Sequence, residues 1–183
     1  MGFGSSGITW DNNENSYVAG IELEGRKKIG DHFEFRSNVT LVKSYSQFVR
    51  KELIVLPNNQ SLYIPIDTVE RTMFGQAPYI VNGILSYSSD TLGLTATVSY
   101  NVQGPRLVLT GILKGRPDVY EMPRHTVDIK VSKTLSKHFS MSLTVRDLLN
   151  APVRRAYKTP SGYIDYDRFR YGTNFQVGLS YKL

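Results

Sequence analysis

The last fourteen residues of the chain, RYGTNFQVGLSYKL, alternate almost without a break between two sets of side chains. One set is Tyr171, Thr173, Phe175, Val177, Leu179, Tyr181 and Leu183, and the residues between them are polar or glycine. A period of two places successive side chains on opposite faces of a sheet. Strands of soluble domains usually have about five or six residues, whereas crossing a bilayer takes about 9 to 11 tilted residues. The tail therefore predicts a membrane-crossing strand.

Six further segments alternate in the same way. With the tail, the predicted strands are 17–28, 33 to about 47, 79–87, 92–101, 126–132, 139–146 and 170–183. All eight prolines, at positions 57, 65, 78, 105, 117, 123, 152 and 160, lie between these segments. This placement is expected because proline cannot donate a hydrogen bond to a strand ladder. We therefore predict seven strands.

The connections between the predicted strands alternate in length. Short connections are 29–32, 89–91 and 135–138, and long ones are 48–78, 102–123 and 149–169. Short periplasmic turns and long extracellular loops at opposite rims are typical of transmembrane barrels. The sequence thus predicts an all-β fold, an antiparallel up-and-down transmembrane β-barrel segment, with its C-terminus in the periplasm and residues 1–16 in an extracellular loop.

A soluble lipocalin-like barrel would also alternate, but with its apolar face inward. Here the polar faces carry mainly Ser, Thr, Asn, Gln and Gly with some paired charges, which suits a hydrated lumen. Tyrosines on the apolar face lie near strand ends, where an interfacial girdle belongs. They are Tyr17, Tyr45, Tyr79, Tyr87, Tyr100 and Tyr181. This arrangement favours lipid outside the barrel, and the slightly negative mean hydropathy of −0.27 agrees with such alternation.

Composition limits the remaining classes of function. The chain has 183 residues, enough for one domain, and no cysteine, which excludes disulfides, thiolate metal sites and cysteine nucleophiles. Its net charge of +6 is dispersed along the strands and loops without a nucleic-acid-binding motif, so we predict no nucleic-acid partner. No apolar stretch is long enough for a transmembrane helix, and the N-terminal MGFGSSGITW lacks the features of a signal peptide.

The chain end resembles the C-terminal signal that the barrel-assembly machinery of bacterial outer membranes recognises. The residues that carry this resemblance are Gln176, Gly178, Tyr181 and Leu183, with leucine where phenylalanine is commonest. The resemblance implies that the assembly machinery is a partner and that outer-membrane lipid and lipopolysaccharide surround the protein.

Upstream segments resemble the closing strands of TonB-dependent receptors of the Bacteroidetes type. These are GQAPYIVNGILSYSSDTLGLTATVSYNVQG and PDVYEMPRHTVDIKVSKTLSKHFSMSLTVRDLLNAPV, the second including the tetrapeptide Asp147, Leu148, Leu149, Asn150. The family implies a 22-stranded barrel with a plug, which imports scarce ligands with energy delivered by TonB. Residues 1–183 would then be the C-terminal part of one such barrel domain, because they contain neither a plug nor a TonB box. The remaining strands and the plug would come from another chain or a missing sequence.

The loop YKTPSGYIDYDRFRY supplies the candidate ligand-binding residues. Tyr157, Tyr163, Tyr166 and Arg168 combine aromatic faces with a charged fork at the predicted extracellular mouth, although self-packing of the loop explains the same residues. The pair Asp165 and Asp167 suggests calcium, but calcium requires 6 to 8 oxygen ligands. We therefore predict neither a metal nor another cofactor.

No catalytic constellation is evident. The segment FGSSG lacks the first glycine of the G-x-S-x-G elbow, because Phe3 occupies that position. His32 and His138 fall in predicted periplasmic turns, and His125 lies at an extracellular strand end, where an outer-membrane phospholipase would keep its histidine. Without a matching serine and acid, we predict that the chain is not an enzyme.

Two functions remain open from the sequence. One is an energy-coupled uptake receptor in the outer membrane of a Gram-negative bacterium, for a siderophore, glycan, peptide or cofactor. The alternative is a non-transporting barrel that serves as a structural or adhesive component of an envelope complex. A receptor requires a plug and a TonB box in the missing part, whereas a structural barrel requires neither.

Overall fold

The computed structural model describes residues 15–111 and 113–182 of the chain, which form twelve β-strands. The strands are β1 (Ser16–Ile29), β2 (Phe33–Val55), β3 (Ser61–Arg71), β4 (Tyr79–Ser89), β5 (Leu94–Gln103), β6 (Arg106–Leu109), β7 (Val119–Glu121), β8 (Arg124–Thr134), β9 (Phe139–Arg146), β10 (Val153–Thr159), β11 (Gly162–Phe169) and β12 (Asn174–Tyr181). Across these two ranges, no helix has the length and apolar character needed to span a membrane.

Seven of the strands form one antiparallel meander in the order β1-β2-β4-β5-β8-β9-β12. They correspond to the seven predicted strands, and the all-β class and antiparallel pairing predicted from alternation are confirmed. The tail strand is shorter than predicted, because β12 begins at Asn174 rather than at residue 170. Gly172 has a left-handed φ of 85°, and Thr173 donates its hydroxyl hydrogen to the Asp147 carbonyl, so the chain turns before entering the sheet.

The register of the meander keeps its two faces distinct from edge to edge. One row of paired residues on the apolar face is Phe35, Leu85, Val98, Ile129, Val145 and Phe175, and on the edge strand β1 this row ends at Lys27, near the turn. The adjacent row on the polar face is Lys28, Glu34, Ser86, Thr97, Lys130, Thr144 and Gln176. Each strand therefore contributes to a continuous apolar face and a continuous polar face, as a period of two requires.

The meander is an open sheet. Within the described ranges, β1 pairs only with β2, and β12 pairs only with β9. Both edges therefore present unpaired backbone groups.

The long connections are more ordered than the sequence predicted. They contain β3, β6, β7, β10, β11 and the outer part of β2, so the expectation of three plain loops was wrong. The shortest of these strands, β6 and β7, have four and three residues, too few for a period to be recognised. The expectation that every proline lies outside strands was also wrong, because Pro65 lies in β3. It pairs with Lys51 at a register shift, the irregular place where a strand tolerates proline.

Two groups of strands lie at the long-connection end of the meander. Ser46 pairs with Ser16 on one side and Arg71 on the other, so β3 runs beside the outer part of β2 on the same side as β4. The second group is a four-stranded sheet, β11-β10-β7-β6, built from the two later connections. We call β3, residues 46–55 of β2 and this small sheet the cap. The small sheet has a buried centre in which Leu107 and Ala156 are fully inaccessible to solvent.

Two of the short turns at the opposite end repeat one arrangement. His32 Nδ1 lies 3.0 Å from the Ser88 carbonyl oxygen, and His138 Nδ1 lies 2.9 Å from the Lys182 carbonyl oxygen. Each histidine is followed by a phenylalanine whose ring packs against a tyrosine of the adjacent strand, Tyr87 or Tyr181. Aromatic side chains therefore border the apolar face at this end of the meander.

Candidate ligand-binding cleft

A cleft of about 570 Å³ lies where the β2–β3 pair meets the small sheet. Its lining residues are Ser44, Tyr45, Arg50, Val69, Glu70, Arg71, Thr72, Arg116, Pro117, Asp118, Tyr120, Lys158, Thr159 and Pro160. The volume falls in the usual range for small-molecule sites, about 300 to 1,000 Å³. Cations outnumber carboxylates four to two among the lining side chains, which gives the cleft a positive character.

An ion pair between Arg71 and Asp118 joins the two walls of the cleft. Arg71 Nη1 lies 2.8 Å from Asp118 Oδ1, and both side chains are largely buried, at 9% and 16% exposure. Arg71 Nη2 also donates to the Gly111 carbonyl, and the Gly111 amide donates to Asp118 Oδ1. A Cβ at Gly111 would lie only 2.0 Å from the Arg116 carbonyl oxygen, so this close approach requires glycine. The pair thus fixes the small sheet against β3.

The β2 wall carries a second set of polar contacts. Arg50 Nη2 lies 3.0 Å from Asp67 Oδ2 across the β2–β3 pair, while Arg50 Nε has no hydrogen-bond partner in the described chain. The Tyr45 hydroxyl donates to Glu70 Oε1 at 3.0 Å. Desolvation, with a further contribution from this carboxylate acceptor, raises the pKa of Tyr45 above its ordinary value.

The small-sheet wall carries two exposed cations, Arg116 and Lys158. Among the residues that the structure describes, neither forms an ion pair with a carboxylate. The ammonium nitrogen of Lys158 lies 5.5 Å from the ring centroid of Tyr120, a cation–π contact. Tyr120 itself is only 7% exposed, so packing holds its ring in place beside the Lys158 ammonium group.

The four binding residues predicted from the sequence do not form one cluster. Tyr163 is opposite Lys158 in the register, and its ring packs edge-on against Tyr120 with centroids 6.2 Å apart. Tyr157 precedes Lys158 and so faces the other side of the strand, where it packs edge-on against Tyr166 at 5.2 Å. Arg168 is exposed on the edge strand β11, opposite Arg154. Of the four, Tyr163 is the one whose ring contacts a wall of the cleft.

The carboxylates considered for calcium each pair with an arginine. Arg154 Nε donates to Asp165 Oδ1 at 2.5 Å, and Arg155 Nη1 donates to Asp167 Oδ2 at 3.1 Å. Arg155 also lies 3.7 Å from Glu121, which pairs with Arg106 at 2.7 Å. Residues 15–111 and 113–182 contain no group of three or more potential metal ligands. These carboxylates therefore serve as cross-strand partners that hold the small sheet together.

The tetrapeptide Asp147 to Asn150 forms the turn by which the chain leaves β9. Asp147 and Asn150 have left-handed φ values of 53° and 45°, which aspartate and asparagine tolerate better than most residues. The Asp147 carboxylate pairs with Arg124, and the Asn150 amide donates to the Asp147 carbonyl. This turn directs the chain from the meander into β10, so the tetrapeptide has a structural role in positioning the small sheet.

Three of the residues of the predicted assembly signal lie on β12, and Leu183 lies outside the described residues. Gln176 is on the polar face opposite Thr144, and Tyr181 is on the apolar face opposite Phe139. Gly178 is opposite Ser142, and a Cβ at Gly178 would lie 2.7 Å from Ser142 Oγ. The glycine thus also makes room for its cross-strand neighbour.

His125, the histidine considered for a phospholipase, lies 2.7 Å from the Tyr100 hydroxyl through Nδ1. Comparison with other proteins gives no further guide, since no protein-family model, curated protein or solved structure matches the chain.

Sequence reasoning missed most of the cleft. Arg50 and Arg71 lie in the predicted connection 48–78, and Arg116 and Tyr120 lie in the predicted connection 102–123, so only the fold brings them together. The positive net charge of the chain indicates an excess of cationic side chains, but it does not show which of them lie on the same surface.

Proposed function

We propose that the chain is the C-terminal part of an outer-membrane β-barrel receptor of the TonB-dependent kind, which takes up a scarce ligand. In this proposal the meander is a section of barrel wall, and the cap lies at the extracellular mouth. The observation that carries the proposal is the continuous apolar face of the meander.

The exposure of that face favours a lipid environment. On β12, Phe175, Val177 and Leu179 are 69%, 68% and 69% exposed, and on β1 Ile21 and Leu23 are 66% and 63% exposed. A soluble protein rarely leaves so large a contiguous apolar surface in water, since its exposure costs about 25 cal/mol for each Å². In a barrel, lipid covers this face and water covers the polar one.

The dimensions and edges of the meander also fit a barrel wall. In β2, residues 33–43 would cross the bilayer, a length that matches the about 9 to 11 residues required. Tyr17 and Tyr45 stack at the end of this span, with ring centroids 5.2 Å apart, and Phe33 and Tyr87 pack at the other end. Unpaired edges are too costly in lipid, so the proposal requires further strands beside β1 and β12.

A pair of single-cysteine variants tests the membrane orientation. The chain has no cysteine, so Val98→Cys and Thr97→Cys each give one labelling site, on the apolar and the polar face of β5. With spin labels on the whole receptor in lipid vesicles and any cysteines outside this chain replaced, we expect the label at 98 to collide more with oxygen, which dissolves in lipid. We expect the label at 97 to collide more with a water-soluble nickel complex. Equal accessibility of both labels to the nickel complex would contradict the proposal.

Transport is tested separately in cells that carry the whole receptor. Uptake should stop when a protonophore removes the energy source or when the TonB box is deleted, while surface binding of the ligand continues. Unchanged accumulation under both treatments would contradict energy-coupled transport, and surface binding without any uptake in untreated cells would favour the structural or adhesive component.

A further inference from the structure

We infer that the cap cleft binds a small organic anion through its carboxylate or phosphate group. This inference rests on the proposed function, because it names the chemical class of ligand that the receptor would take up. It depends on the charges and contacts of the cleft rather than on the resemblance to a receptor family.

The cations of the cleft divide into two that are neutralised and two that are free. Arg71 is paired with Asp118 at 2.8 Å, and Arg50 is paired with Asp67 at 3.0 Å. Arg116 and Lys158 have no carboxylate partner among residues 15–111 and 113–182, and both are exposed at the cleft. A guanidinium and an ammonium with free donors are the groups that proteins use to hold carboxylate and phosphate.

The carboxylates that line the cleft cancel only part of this charge. Asp118 Oδ1 already accepts the Gly111 amide and contacts Arg71, and Glu70 accepts the Tyr45 hydroxyl. Asp118 is thus neutralised by Arg71, whereas Glu70 keeps its negative charge, because a phenol hydroxyl donates a hydrogen bond without adding a positive charge. The cleft therefore keeps a net positive charge, and an oxyanion entering it would meet Arg116 and Lys158, which have no carboxylate partner in the described ranges.

The remaining lining favours an organic rather than an inorganic anion. Tyr120, Pro117, Pro160 and Val69 supply apolar and aromatic surface in the same cleft. Tyr120 is held by Tyr163 on its edge and carries Lys158 over its ring, so an apolar surface and a free charge are adjacent. A carbon skeleton could pack on these side chains while its anionic group faces Arg116 and Lys158.

Equilibrium dialysis of the whole receptor in lipid vesicles, with empty vesicles as blank, tests the inference. The probes are phenyl phosphate and benzoate, with benzyl alcohol as the neutral analogue. We expect at least one of the two anions to bind at least tenfold more tightly than benzyl alcohol, and binding of only one would identify the anionic group preferred. Equal binding of the neutral analogue, or no binding of either anion, would overturn the inference.

Variants then assign the binding to the cleft. Arg116→Gln and Lys158→Gln should each weaken anion binding about tenfold, the usual effect of losing one charge-assisted hydrogen bond. Arg116→Lys keeps the charge and should retain most of the affinity. Lys137→Gln removes a charge from a turn at the opposite end and should change nothing. The inference fails if Lys137→Gln weakens binding as much as the cleft variants do.

The two proposals fail in different ways. If the labels at 97 and 98 report the expected faces but no anion binds, the inference about the cleft is wrong and the proposed function stands. If the anion binds to a chain whose apolar face is not in lipid, the proposed function is wrong and the cleft assignment stands.

Discussion

The meander and the cap are both antiparallel sheets, yet different interactions stabilise them. In the meander, strands linked by short turns pair along most of their length, and the apolar side chains point outward from the sheet. In the cap, the small sheet buries Leu107, Val119 and Ala156 at its centre. The cap therefore has a core in the sense of a soluble domain, whereas the meander depends on its surroundings to cover its apolar face.

The ion pairs of the two regions also differ in how far they are buried and in what they connect. In the meander, the ion pairs of Glu34 with Arg26 and Arg36 lie on the open polar face. In the cap, the pairs of Arg71 with Asp118 and of Arg155 with Glu121 join segments from different long connections. Ion pairs in the cap thus fix tertiary structure, and their loss should matter more than the loss of an exposed pair.

Among the substitutions that test whether the cap and the meander unfold independently, Leu107→Ala should have the largest effect on stability. Leu107 is fully buried, so its truncation should destabilise the cap by about 2 to 5 kcal/mol. Hydrogen exchange of the whole receptor in vesicles should accelerate in β6, β7 and β10 and stay unchanged in β4 and β5. Val108→Ala, at the half-buried neighbour, should have a much smaller effect. Faster exchange throughout the meander would mean that the two regions are one cooperative unit.

A smaller effect is expected from Asp118→Asn. The amide cannot neutralise Arg71, whose side chain is only 9% exposed, although it can still accept the Gly111 amide. Since both partners are largely buried, we expect a loss of about 2 kcal/mol from cap stability. A double-mutant cycle with Arg71→Met, followed by hydrogen exchange in β3 and β7, measures the coupling. Additive effects of the two substitutions would show that the pair does not join the walls.

The meander could be predicted from the sequence because its information is local. Alternation over eight or more residues fixes which side chains share a face, and short connections fix which strands are neighbours. Strand β9, for example, has the predicted bounds 139–146. The exception is residues 170–173, where the alternation continues in sequence but Gly172 turns the chain away from the sheet.

The cap could not be predicted, because its strands are defined by distant partners. Tyr120 lies in a three-residue strand that exists through its pairing with Leu107 and Ala156. The aromatic residues of the predicted loop were found, but alternation along β10 and β11 places Tyr157 and Tyr163 on opposite faces. The cations of the cleft come from β2, β3, β10 and the segment before β7, so no single stretch of sequence contains the site.

The smallest effect on stability is expected from Gly178→Ala. This variant distinguishes a packing role of Gly178 beside its cross-strand neighbour from a role in recognition by the assembly machinery. The new Cβ would lie 2.7 Å from Ser142 Oγ, but this hydroxyl can rotate away, so the unfolding free energy in detergent should fall by less than about 1 kcal/mol. Gly83→Ala is the matched control in β4, since its Cβ would make an ordinary 4.0 Å contact with Phe35. If Gly178 belongs to an assembly signal, only Gly178→Ala should reduce the fraction of receptor inserted in the outer membrane of cells. Equal insertion of both variants would leave Gly178 with the role of accommodating Ser142, and would place recognition of the tail in its other residues.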